Sequence, residues 1–275
     1  MEAATIAPAL RPRRAAARAA FIAMLARDFT VLRQNPSTFL ARTIVQPLLF
    51  VFVLGYVNPR IGLGPDGGAG ATELATTLVA GMLAIVVLFQ GMQAVAFPLV
   101  QEFGYTREIE DRVLAPLPVW LVALEKVVAG ALHGLLAAAI VFPLAIVVPS
   151  ATPDLHVDWP VLVTLAPLAA LATSSLGLWF GTFFEPRSVM AMFAILLTPM
   201  LFLGCTLFPW NALDAIPWVQ VVALANPLTY VSEGFRAAVT GAPHLSLLAI
   251  YPVLVAMTAV LLWQGMRNFR RRVVA

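Results

Sequence analysis

Six long apolar stretches dominate the chain, at residues 39–56, 74–100, 120–148, 161–184, 189–208 and 247–265. Most approach or exceed the ~20 residues that a helix needs to cross a bilayer. Lengths above that leave room for tilt or for extension past the lipid. Ser37 or Thr38 offers an N-cap before the first stretch. The pattern predicts an all-α membrane protein with six transmembrane helices.

Residues 1–38 read as a cytoplasmic arm and residues 39–275 as the transmembrane domain. On a helical wheel of 15–35, Phe21, Met24, Leu25, Val31 and Leu32 share one face. Arg27, Thr30, Arg33 and Gln34 share the opposite one. This is the pattern of an interfacial amphipathic helix on an anionic leaflet. Asp28 falls within the apolar stripe and requires a partner. Asn35-Pro36 ends the helix, because Pro restricts the residue before it.

The connections divide by charge. Residues 58–71 hold one arginine, Arg60, and residues 150–159 hold Asp154, His156 and Asp158 without Lys or Arg. Both read as external. Residues 101–118 carry Glu102, Arg107, Glu108, Glu110, Asp111 and Arg112, and so read as a cytoplasmic loop. Glu185-Pro186-Arg187 is a short cytoplasmic turn. The arm and the tail, with Arg267, Arg270, Arg271 and Arg272, are both basic. Two cytoplasmic termini require an even number of spans, and six agrees.

Residues 209–244 should be external, yet they are mostly apolar and broken by Pro209, Pro217, Asn226-Pro227 and Gly241. Two short re-entrant helices, dipping into the outer leaflet and returning, account for this. Backbone at that depth must be covered by protein. A seventh span would place the basic tail outside, against the positive-inside rule.

Composition narrows the class. Of 275 residues, 61% are hydrophobic and 11% charged, against about 25% charged in soluble domains. The net charge of +3 comes from arginines clustered at the two ends, a topology signal before a nucleic-acid one. Cys205 is the only cysteine, so no intrachain disulfide or cysteine-based metal site is available. No cleavable signal is visible, since Arg27, Asp28 and Arg33 interrupt the apolar run that should follow the basic start.

Catalytic motifs are missing. Lys126, the only lysine, is followed by Val127, so no phosphate-binding Gly-x4-Gly-Lys-Ser/Thr loop exists. No His-Glu-x-x-His or Gly-x-Ser-x-Gly occurs. The chain reads as a non-enzyme that binds no cofactor of its own.

Two groups of polar residues carry functional candidates. In the cytoplasmic loop, residues 108–114 can form a short helix with Ile109, Arg112 and Val113 on one face. That mix of charge and apolar foot suits a soluble partner, and equally suits a solvated turn. Within the spans, charge is costly and rare. Arg42, Glu125 and Lys126 lie near cytoplasmic ends, where they can snorkel. Gln90 and Gln93, and the deeper His133, are substrate-path candidates. Gly130 and Gly134 form a small-xxx-small pair that permits close helix approach.

The order of parts resembles the type-two permease family of ATP-binding-cassette exporters, in its drug, antibiotic and lipo-oligosaccharide branch. Phe202-Leu203-Gly204, Phe208-Pro209, Ile216-Pro217, Asn226-Pro227-Leu228-Thr229-Tyr230, Glu233, Arg236 and Gly241 carry the resemblance. So do Arg33-Gln34-Asn35-Pro36 with Pro47, and Glu102, Gly104, Arg107 and Glu108 with the run 114–118. The family's tighter acidic-Arg-Glu-x-Gly order is absent here.

The resemblance implies a permease subunit in a bacterial cytoplasmic membrane, paired with a second permease copy or homologue. A separate ATPase subunit, holding ATP and Mg, would dock on Glu102, Arg107, Glu108, Ile109, Glu110, Asp111, Arg112 and Val113 and on Glu185 and Arg187. Pro209, Pro217, Asn226, Pro227, Tyr230, Glu233 and Arg236 would build the re-entrant motif. The cargo would be an amphipathic drug, lipid or glycolipid. A gradient-driven carrier would show paired broken helices, and the two halves of the sequence do not match. A membrane enzyme would cluster His, Asp or Glu at depth. A non-transporting assembly partner shares the same sequence features.

Overall fold

The computed structural model describes residues 13–34, 36–62, 68–106 and 118–274. Helix α1 spans Arg13–Gln34, and α2 spans Pro36–Val51 before a π-helical turn, Phe52–Val57, and a short turn, Asn58–Arg60. Helix α3, Gly68–Gln101, also ends in a π-helical turn, Glu102–Thr106. Then come α4 (Val119–Val147), α5 (Trp159–Phe183) and α6 (Val189–Leu203). A 3-10 turn, Trp210–Ala215, leads to α7 (Pro217–Leu224), α8 (Pro227–Val239) and α9 (Leu247–Val274).

The boundaries follow local chemistry. Asp158 caps α5 by accepting from the Val161 amide at 3.2 Å, and Asn226 caps α8 by accepting from the Leu228 amide at 3.0 Å. Pro227 follows at the first helical position, where its missing N–H costs nothing. Extended backbone at Pro118 precedes α4.

Among the described residues, five segments are long and apolar enough to cross a membrane: Phe39–Arg60, Gly68–Gly104, Val119–Val147, Trp159–Phe183 and Leu247–Val273. The fifth apolar stretch of the sequence, 189–208, is helical only as far as Leu203, for 15 residues. At 1.5 Å per residue α6 is about 22 Å long, short of the ~30 Å hydrocarbon core.

Helix α3 is the hub. In its apolar window 78% is buried within the molecule, against 11% for the last helix. Lipid tails are as apolar as leucine, so close backbone approach, not the hydrophobic effect, has to hold such helices together. Glycines provide it. A Cβ on Gly130 would lie 3.0 Å from the Gly91 carbonyl, and one on Gly134 3.3 Å from that of Val87. Gly177 and Gly181, also four apart, bring α5 close to Met92 and Ala96, where added Cβ atoms would lie at 2.5 and 3.1 Å.

The contacts fix helix directions. Residues 91 and 87 of α3 face 130 and 134 of α4, so these two run antiparallel. Residues 87, 92 and 96 of α3 meet 173, 177 and 181 of α5, so these run parallel. Thr164 lies 2.6 Å from Tyr251 and Phe184 accepts from Arg272, so α5 and α9 also run parallel. Phe39 sits beside His133, and Gly55 accepts from Ser150, making α2 parallel to α4. Phe193 packs beside Phe97, whereas Thr206 lies on Gly81, making α6 antiparallel to α3.

Helix α1 departs in part from its expected faces. Ala17, Ala20, Phe21, Met24, Leu25, Asp28 and Leu32 turn partly inward, and Arg27, Thr30, Arg33 and Gln34 outward, as the wheel requires. Val31, which the wheel groups with the apolar face, is exposed, together with Ile22 and Phe29. Ala17, Ala20 and Met24 pack on a cluster holding Val122, Ala123 and Phe269. That contact is narrower than the apolar stripe, so the stripe's edges stay outside it.

Candidate functional site

Two places in the fold concentrate polar chemistry. The first is the break between α6 and α9. Where a helix stops inside a bundle, its last carbonyls lose their partners, and here side chains of 226–236 supply them. Asn226 donates to the Met200 carbonyl at 2.7 Å, and Thr229 to that of Ala223 at 2.7 Å. Tyr230 donates to Leu224 at 2.8 Å, and Ser232 to Gly204 at 2.5 Å. Every residue from Leu228 to Val239 is buried.

Glu233 and Arg236 form the centre of this structure. They are ion-paired, with neither side chain exposed. Arg236 also donates to the Cys205 carbonyl at 3.1 Å. Glu233 accepts from the Trp210 amide at 3.0 Å and from the Leu245 amide at 2.7 Å. The two residues, expected as parts of the re-entrant motif, pair with each other and also hold neighbouring backbone. Pro209 caps the 3-10 turn, and Pro217 opens α7. Cys205 takes a left-handed backbone at φ 52°. Its carbonyl role, and that of Ser232 as a donor, were missed. The available signal was the buried helix end itself, which must find donors.

The second place is the pole where α3 and α5 end. Glu102, expected to face a partner, is turned inward onto Lys126 at 2.8 Å, with side-chain exposures of 7% and 5%. Lys126 and Glu125 do not snorkel; both are buried in the bundle. The side chain of Arg42 lies outside the described residues, as do Arg107, Glu108, Ile109, Glu110, Asp111, Arg112 and Val113. What is described brings distant segments together. A Cβ on Gly104 would lie 2.7 Å from Pro186, so the end of α3 touches the 185–188 turn. Glu185 and Arg187 of that turn are exposed. Arg272 closes the pole from α9, donating to the Phe184 carbonyl at 2.7 Å, while Phe103 packs on Phe269 with ring centres 5.5 Å apart.

The family model for the ABC-2 type transporter matches residues 19–240, covering both places apart from Leu245, Phe269 and Arg272. The chain belongs to the ABC-2 type transporter family. Similar proteins include the inner membrane transport permease YadH of Escherichia coli K12, 26% identical over 224 residues, 79% of this chain and 81% of YadH. YadH of Escherichia coli O157:H7 and of Shigella flexneri match to the same extent.

Membership makes the chain a membrane permease subunit of an ABC transporter, and the family implies work with an ATP-binding subunit. In this ABC-2 permease Gln90 and Gln93, the glutamines expected on a substrate path, are half-buried on α3. His133 faces α2 instead, its ring centre 6.0 Å from that of Phe39. Its Nδ1 is buried without a hydrogen-bond partner among the described residues.

Proposed function

We propose that this ABC-2 permease is the six-crossing subunit of an ATP-driven exporter, with both termini on the cytoplasmic side of a bacterial inner membrane. Helix direction supports six crossings. Because α5 and α9 start at the same pole, residues 184–246 make a net crossing between them, and α6 is the helix available for it. The turns and α7 and α8 then form a re-entrant cap on the outer half. The Asn226 end of α8 bonds Met200 inside the bundle, and its Val239 end meets His156 in the 150–158 connection. The inner membrane localisation follows the name of YadH and the basic arm and tail.

The single observation behind the export reading is the contact between Gly104 and Pro186. It joins the turn Glu102–Thr106 at the end of α3 to the 185–188 turn, and one ATPase subunit docked there would push both at once. ATP-driven closure of two ATPase subunits would then reorient two permease copies around an amphipathic drug, lipid or glycolipid. Gln90 and Gln93 line the proposed path.

The test is co-expression with the ATP-binding subunit encoded beside it. A stable complex with cargo-stimulated ATP hydrolysis is expected. Charge reversal at Glu110 and Asp111, or at Glu185 and Arg187, should weaken that complex and leave membrane insertion intact. A solitary chain that pumps cargo on an ion gradient would overturn the reading.

A further inference from the structure

We propose that a groove between the start of α4 and the end of α9 binds an anionic phospholipid. Its phosphodiester headgroup is held by Arg267, Arg270 and Arg271, and its acyl chain lies on Trp120, Trp263 and Met266. The groove encloses about 900 Å³ and is lined by these residues and Val119. That is within the ~300–1,000 Å³ of small-ligand pockets. Among the described residues, no carboxylate lines it.

The arrangement is graded along one helix face. Trp263, Arg267, Arg270 and Arg271 follow at i, i+4, i+7 and i+8, the spacing of neighbours on one side of a helix. Trp263 and Trp120 are exposed, and the Arg267 guanidinium sits 5.6 Å from the Trp263 ring centre. From Trp263 to Arg267 the helix rises about 6 Å. The headgroup layer on each side of a bilayer is about 5–7 Å thick. An aromatic ring at the hydrocarbon edge and guanidinium forks at phosphate height match a lipid better than a soluble anion. Arginine also holds phosphate oxygens bidentately. Arg272 is not part of the group, because it is turned onto Phe184. Positive residues that only set topology would need neither the groove nor the tryptophans.

The test uses the full chain in neutral detergent, titrated with phosphatidylglycerol carrying brominated acyl chains, which quench nearby tryptophans. Phosphatidylcholine with the same chains is the comparison. The component lost in a Trp120→Phe/Trp263→Phe variant reports the groove. Phosphatidylglycerol should quench it at a mole fraction at least tenfold lower than phosphatidylcholine does. Arg267→Gln/Arg270→Gln/Arg271→Gln should abolish that preference. Single Arg267→Gln and Arg271→Gln variants, which keep most of the tail charge, should each lose roughly fivefold. Inorganic phosphate should not compete. Equal quenching by the two lipids, unchanged preference in the single variants, or competition by inorganic phosphate would each overturn the proposal.

Discussion

Glu233 and Arg236 face each other one turn apart on α8, both sealed from the surface, and between them they hold the backbone of Cys205, Trp210 and Leu245. A buried pair of this kind gains little over an apolar pair of the same shape. Its value here is geometric, because four segments of chain meet on two side chains. Breaking it from one side leaves an uncompensated charge, at a cost of about 3–5 kcal/mol. Arg236→Met should therefore lower the unfolding temperature sharply in detergent. Glu233→Gln/Arg236→Met together should lose less than the sum of the single changes. Additive losses in a double-mutant cycle would remove the pair from this role.

The tightest approach in the cap is that of Gly81 to the Thr206 carbonyl, where an added Cβ would overlap the oxygen. Gly81→Ala must push the 204–208 turn off α3. We expect loss of about 2 kcal/mol or more and faster proteolysis between α6 and α7. Gly241→Ala is the control, since its Cβ would meet only His156 at 3.4 Å. Equal behaviour of the two variants would contradict the packing.

Lys126→Met removes the ammonium that lies 2.8 Å from the buried Glu102 carboxylate in the native chain. Stability should fall by about 3 kcal/mol, and the end of α3 should loosen beside Pro186. In a complex with the ATPase subunit, cargo-stimulated hydrolysis should drop more than basal hydrolysis. Glu102→Gln/Lys126→Met should recover part of both losses. Recovery of stability without recovery of stimulation would separate folding from coupling.

Helix direction makes a labelling prediction. Cys205 is buried, so a Cys205→Ser background is quiet. Ser150→Cys and Ser246→Cys should react with an impermeant maleimide from outside intact cells. Ser188→Cys should react only after permeabilisation. Protection of both outer positions would break the six-crossing reading.

Much of this was legible in the chain. The six apolar stretches account for the five long helices and for α6, and Asn226-Pro227 marks the start of α8 as its cap chemistry requires. Gly130 and Gly134 signalled the α3–α4 approach, whereas Gly177 and Gly181 passed unnoticed because one helix's pattern does not name its partner. Glu102 and Lys126 were misplaced for a related reason. Near a span end, snorkelling and pairing look the same until a neighbouring helix is known.

The sequence by itself determined what periodicity, length and local chemistry control: apolar helices, the proline and asparagine breaks, and the basic ends. Tertiary structure alone decided that Glu233 and Arg236 sit at a junction of four segments, that Gly104 meets Pro186 about 80 residues away in sequence, and that Val31 faces outward. Such relations depend on which helix faces which. In a membrane that choice rests on shape and buried polar pairing, and neither is written in the hydropathy of any one segment.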